Sequence, residues 1–349
     1  MQRPSGLNIL CAGLALFMVA GSSHVAHADG PYRILKTEKV GGDGGFDYVY
    51  ADSDNRNLYV ARTGKTPRVD VFNLDTLAPV GSLKETAAHG VVTDTASHHG
   101  FASSSPIVMF DTKTFAPIKS IKVEGRPDGL LADPSNHRVY VLSHEAPNVT
   151  VLDAKDGSII TTIDLGGAPE QAAADGKGKI YIDVEDKDSV AVIDTKTCKV
   201  CGNYSLNGKG GGNAGLALDS KAGVLYVACR TPQVMVMLNA ADGKYLADLP
   251  IGRGCDGAAF NMKSGECFSS QGDGTLTIIK HKAGSEFEVE QNVTTKVGAK
   301  TCTLDTKTGH ILLIAAEFGP APEGQAAPGG RPRRGPLVPG SFSIIEVGK

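Results

Sequence analysis

Hydrophobic and polar positions alternate along this chain in a unit of about forty residues, plainest between Arg126 and Gly167. There LLAD closes one apolar run, PSNH turns the chain, RVYVLS and VTVLD follow, and AKDG leads into SIITTIDL. Short runs rich in Val, Ile, Thr and Tyr and bounded by Gly, Pro, Asn and Asp read as strands, so the unit predicts a four-stranded sheet. One such sheet cannot bury both faces, and further copies are needed to cover it.

The copies keep step. An acidic or amide residue closes the first strand of each unit: Asp52, Asp94, Asp133, Asp175, Asp219, Asn261 and Asp305, spaced 42, 39, 42, 44, 42 and 44 residues apart. Seven residues later a large apolar residue opens the second strand, as Tyr59, Phe101, Tyr140, Tyr226, Phe268 and Leu312, with Tyr181 one residue early in the fourth unit. The third strands read VDVFN, IVMFD, VTVLD, VAVID, VMVML, LTIIK and FSIIE. The pattern predicts an all-β, seven-bladed β-propeller. Its blades span about 46–86, 87–125, 126–167, 168–208, 209–252, 253–298 and 299–349. The last unit lacks a fourth strand, and an unpartnered strand at 32–40 is expected to supply it and close the ring. In the seventh unit Gly319 to Gly340, GPAPEGQAAPGGRPRRGPLVPG, is inserted between second and third strands; its Pro and Gly content predicts a flexible loop on the face where first strands begin.

Composition changes this picture at the N-terminus. Arg3 precedes an apolar stretch from Leu7 to about Ala20, and Ala26-His27-Ala28 has the small-residue pattern of a cleavage site, so residues 1–28 read as a signal peptide and residues 29–349 as the mature chain. The run is too short to span a membrane, and a periplasmic or secreted location is expected, with no transmembrane segment in the mature chain. Removing the leader leaves 34 basic against 38 acidic side chains, a net charge of −4. That mildly acidic balance argues against nucleic-acid binding. Tryptophan is absent, which argues against the Trp-Asp repeat propellers of similar period.

The runs YVARTG, VYVLSHEAPNVTVLDAKDG, IYIDVEDKDSVAVIDTKT and LYVACRTPQVMVML resemble the YVTN-repeat β-propellers, the secreted YncE-like proteins. The resemblance covers the whole mature chain and implies a seven-bladed propeller acting outside the cytoplasm. Its wider group holds haem-carrying propellers, amine dehydrogenase subunits, lactonase-like enzymes and surface-layer proteins, and the matching motif is structural, so it transfers no catalytic residue.

Chemistry is concentrated at one repeat position. Five residues before each marker, where the chain enters its innermost strand, stand Asp47, His89, Asp128, Glu170, Ala214, Asp256 and Lys300. Acids gathered round one axis attract a cation or a metal, and Asp47, His89 and Asp128 on adjacent blades offer donors for a divalent ion. The same acids also serve as turn acceptors in a solvated channel. A second layer at the ends of the second strands offers Arg62, Ser143, His144, Glu185, Arg230 and Gln271; Arg62 and Arg230 there suit a carboxylate or phosphate, or pair with nearby acids. The acidic run Asp183, Glu185, Asp186, Asp188 matches no EF-hand spacing and reads as solvated hairpin charge. Cys198 and Cys201 face each other across a turn and are the candidate disulfide, with Cys229 and Cys255 as a second pair. Gly202 after Cys201 excludes a c-type haem motif, and no G-x-S-x-G or H-E-x-x-H is present.

The expected function is a binding scaffold for a small molecule or protein partner at the channel mouth. The alternatives are a metal-dependent lactonase-like hydrolase or a quinoprotein-like enzyme, and a structural envelope protein. No cofactor is specified beyond a possible divalent metal.

Overall fold

The computed structural model describes Met1, residues 30–320 and residues 335–349; the leader expected at 1–28, apart from Met1, and the loop centre at 321–334 lie outside the described residues. Seven four-stranded antiparallel sheets follow one another in chain order, and the one helical segment among the described residues is the 3₁₀ turn Glu185–Lys187. The innermost strands are Gly45–Asp52, Val91–Asp94, Pro127–Asp133, Pro169–Ala174, Asn213–Asp219, Cys255–Asn261 and Cys302–Leu304.

Each repeat marker has the same local task. Asp52, Asp94, Asp133, Asp175, Asp219, Asn261 and Asp305 all accept a backbone N–H from the turn that follows, at 2.7 to 3.1 Å. Any side-chain carbonyl oxygen at this spacing closes the turn, which is why Asn261 substitutes for an acid in blade six. Period-two alternation then distributes the second strands between layers: Leu58 and Val60 pack toward blade seven, whereas Tyr59 packs toward blade two. Seven apolar clusters result, one at each blade junction, including the junction of blade seven with blade one. The ring is therefore closed by core packing as well as by hydrogen bonds.

Closure uses the N-terminal strand as expected. Arg33–Lys39 pairs antiparallel with Ser343–Gly348 and forms the outer edge of blade seven. Both chain ends are also fastened to blade six: Gln291 exchanges two hydrogen bonds with the Tyr32 backbone at 2.9 and 2.8 Å, and buried Glu266 accepts from the Tyr32 hydroxyl and, at 2.7 Å, from Lys349. On the opposite side Arg56 makes two 2.8 Å hydrogen bonds to Asp305, joining blade one to blade seven.

The inserted segment is more ordered at its ends than its composition suggests. Phe318 bridges Leu337, Gly319 donates to Pro336 at 2.8 Å, and Phe318 and Leu337 pack against the core of blades seven and one. Apolar anchors thus extend the hairpin past the expected start of the loop.

The expected disulfide is not formed; all six described cysteines are free thiols. Cys198 turns inward against the core of blades three and four, with its thiol 3.6 Å from the Thr195 carbonyl, while Cys201 falls at a strand irregularity between the pairs Val192–Gly202 and Ile193–Val200 and is exposed. The two side chains leave the turn in different directions. Cys229 packs between blades four and five and Cys255 between blades five and six, so these thiols also face different layers.

Candidate functional site at the channel mouth

The mouth is built by a backbone irregularity repeated round the ring. In blades one, three, four, five and six the ladder between first and second strands breaks at the same place, between Phe46 and Val49, Pro127 and Leu130, Pro169 and Ala172, Asn213 and Leu216, and Cys255 and Ala258. The two residues inside each break are unpaired; the first is the ring position of the repeat and the second lies next to the axis. Glycine holds that second place at Gly129, Gly215 and Gly257 because inner strands crowd there, and Gly90 holds the corresponding position in blade two. A Cβ on Gly129 would lie 2.6 Å from the Glu170 carbonyl oxygen, and one on Gly215 would lie 2.9 Å from the Gly257 carbonyl carbon.

The exceptions, Tyr48 and Gln171, fill the space the glycines leave. The Tyr48 hydroxyl donates across the channel to the Glu170 carbonyl at 3.3 Å. Gln171 donates to the Ala258 carbonyl at 3.1 Å and accepts from the Leu216 and Ala258 N–H groups at 2.9 and 3.0 Å. Together they help line a cavity of about 220 Å³ within the channel, whose other walls include Val49, Val92, Leu130 and Leu304.

Among the ring residues, the structure brings Asp47, His89, Asp128 and Glu170 into one arc with His144 from the second layer. His89 Nδ1 lies 2.7 Å from Asp47 and 3.6 Å from Asp128 Oδ1; His144 Nε2 lies 3.4 Å from Asp128 Oδ2 and 2.7 Å from Glu170. Two triads emerge, Asp47–His89–Asp128 and Asp128–His144–Glu170, each with donor atoms within 4.8 Å of one another. The electrostatics follow from crowding. Burial, reinforced by Asp47 and Glu170, pushes the Asp128 carboxyl up to about 6 despite both imidazoles. The hydrogen bond to Asp47 raises His89 and the one to Glu170 raises His144, in each case against the opposing effect of burial. Burial also holds the Tyr48 hydroxyl well above its ordinary range, helped by the surrounding carboxylates.

The other half of the mouth is internally paired. Arg230 donates to Glu185 and, at 2.6 Å, to Asp256, which also receives Lys300. Arg230 reaches over from blade five, the blade whose ring position is Ala214. With both cations neutralised by acids, this half has no surplus charge for an anionic ligand. The carboxylate-rich arc is the half that attracts a cation.

Second-layer residues divide by strand parity. His144, Glu185 and Arg230 stand four residues after their strand openers and reach the mouth, whereas Arg62, Ser143 and Gln271 stand three after theirs and are buried. Arg62, expected at the ring, is instead held by Asp70 at 3.1 Å and by the Gly41 and Asp43 carbonyls, with its guanidinium 3.6 Å above the Phe342 ring. Ser143 donates to the Glu124 carbonyl at 3.1 Å, and Gln271 accepts from Thr275 and Thr277. The acidic run of blade four separates likewise: Asp183 is buried and accepts from the Gln171 N–H, while Asp186 and Asp188 accept from Ala168 and Gly212. Tyr48 and Gln171 are the mouth residues not singled out by sequence. Their signal was available, since the place after the ring position reads Tyr48, Gly90, Gly129, Gln171, Gly215, Gly257 and Thr301, and large side chains interrupt a run of glycines.

Fold and mouth together define a seven-bladed β-propeller with a ligand-sized polar opening. No family model matches the sequence, and no curated protein matches it. Among solved structures, a chain of the mitotic checkpoint complex superposes with a TM-score of 0.69 at 12% identity, covering 88% of this chain and 95% of that one. U3-55K superposes with a TM-score of 0.71 at 10% identity, covering 90% and 98%. At such identities the likeness is one of fold. No helix among the described residues is long and apolar enough to cross a membrane.

Proposed function

We propose that this chain is an exported propeller of the YVTN-repeat kind whose channel mouth captures a divalent first-row metal ion through Asp47, His89 and Asp128. The observation that carries the reading is the convergence of donors from three consecutive blades to within 4.8 Å. One imidazole nitrogen with two carboxylates suits zinc, manganese or their neighbours better than calcium, which prefers oxygen alone. Blade packing supplies rigidity, since each donor stands at the start of an inner strand held between two apolar layers, and Asp47 and Asp128 stand within bulges. Export rests on the leader pattern of residues 1–28, and sequencing the N-terminus of the secreted protein should begin at Asp29.

The test is metal content of the mature protein purified without chelator, with calorimetric titration of Zn²⁺ into wild type and His89→Ala. Wild type should bind Zn²⁺ at this site, and in the variant binding at this site should be at least about ten-fold weaker. No metal and no binding in folded wild type overturns the reading. A protein partner over the same face is the second reading, favoured by the occurrence of this fold in the mitotic checkpoint complex. A partner still captured after Asp47, His89 and Asp128 are all changed to Ala would favour it.

A further inference from the structure

We infer that the mouth is a dinuclear metal site, with Asp128 as the carboxylate that bridges a second ion held by His144 and Glu170. This rests on the reading of the first site given above and extends it to residues from blades three and four.

The inference comes from how Asp128 is shared. Its two oxygens face different imidazoles, Oδ1 toward His89 at 3.6 Å and Oδ2 toward His144 at 3.4 Å. First-row ions bind nitrogen and oxygen at about 2.0–2.2 Å, which places neighbouring ligands of one ion about 3.0–3.6 Å apart. Both Asp128 contacts already fit that spacing. The 2.7 Å contacts, His89 to Asp47 and His144 to Glu170, require an opening of only a few tenths of an ångström. A carboxylate using one oxygen for each ion holds a pair about 3.5–4 Å apart, the separation of two-metal sites.

The surroundings fix this geometry. Asp128 stands in the bulge of the blade-three inner strand, and Gly129 beside it admits the Glu170 backbone so closely that no Cβ fits. His144 is placed by its own backbone N–H, which donates to the Arg126 carbonyl at 3.2 Å, and by neighbouring Ser143, whose hydroxyl donates to Glu124. The Glu170 main chain receives the Tyr48 hydroxyl. Three carboxylates alternating with two imidazoles balance two divalent cations to within one charge when the imidazoles are neutral. The paired half, where Arg230 and Lys300 meet Glu185 and Asp256, adds no surplus positive charge against it.

Zn²⁺ titration followed by calorimetry, with metal counted after gel filtration, reads the stoichiometry. Wild type should bind two ions per chain, His144→Ala one, His89→Ala one, and Asp128→Asn should weaken both. Glu170→Gln is the second variant for the new half, and an unchanged circular dichroism spectrum establishes folding in each case. Mn²⁺ then reports the bridge: wild type should show an exchange-coupled electron paramagnetic resonance signal, and His144→Ala that of an isolated ion. One ion in wild type, lost in His89→Ala and untouched in His144→Ala, overturns the second site and leaves the first-site reading standing. Two ions with uncoupled spectra overturn the bridge. No binding in wild type removes the first-site reading and this inference with it.

Discussion

At the residue scale, single positions divide cleanly into those that make the mouth and those that make the ring, and parity decides which. In blades three, four and five the residue four after the strand opener reaches the opening, while Arg62, Ser143 and Gln271, three after theirs, are buried, so His144 and Arg230 face the mouth and Arg62 does not. Arg62 and Arg230 looked equivalent in sequence because both end a second strand; one residue of register puts them on opposite faces. The ring residues Asp47, His89, Asp128 and Glu170 were legible from the repeat alone, since every copy enters its inner strand at the same step. The sharing of Asp128 was not, because it depends on which oxygen faces which imidazole. Gly129 gives a direct test of crowding: Gly129→Ala should cost about 1–3 kcal/mol, as overpacking does, and weaken Zn²⁺ binding by displacing Asp128, read by thermal unfolding and calorimetry.

At the element scale, the strands hold because each sheet lends its edges and faces to its neighbours. The closing strand was readable as an orphan at one end of the sequence and a vacancy at the other. Its fastening to blade six through Tyr32, Gln291 and Glu266 was not, since those residues carry no repeat signature. A chain lacking residues 30–40 should leave blade seven with an open edge and become sensitive to limited proteolysis, with intact wild type as the control. The Arg56–Asp305 contact makes a pH prediction. Burial pushes the Asp305 carboxyl up, but Arg56, Thr308 and the Lys307 N–H outweigh it and hold the group below the usual carboxylate range. A depressed value means stability that is complete above about pH 4 and lost as pH falls through the folded value. Asp305→Asn keeps the turn acceptor, as Asn261 does naturally, and removes the ion pair together with the acceptor of the Thr308 hydroxyl. It should lower stability by roughly 2–3 kcal/mol at pH 7, and the gap from wild type should narrow as the pH is taken down to 3.

At the scale of the whole molecule, seven junctions in a closed ring make unfolding hard to begin anywhere, and a ligand at the axis touches several blades together. Binding to the native state alone stabilises it by about 2.7 kcal/mol at a hundred-fold excess over Kd. Added Zn²⁺ should therefore raise the melting temperature of wild type by a few degrees and that of Asp128→Asn by less at the same concentration. The fold was almost fully legible because period, turn acceptor and β-branched runs all say the same thing seven times. The mouth was legible only in part because it is where the copies differ.

The pairing of Arg33 with Gly348 sets both ends of the described chain at the rim opposite the mouth. A short handle fused to Lys349 therefore starts on the side away from the opening. Tethered through that end, a lawn of these molecules would stand with every axis facing the solution, like cups set upright.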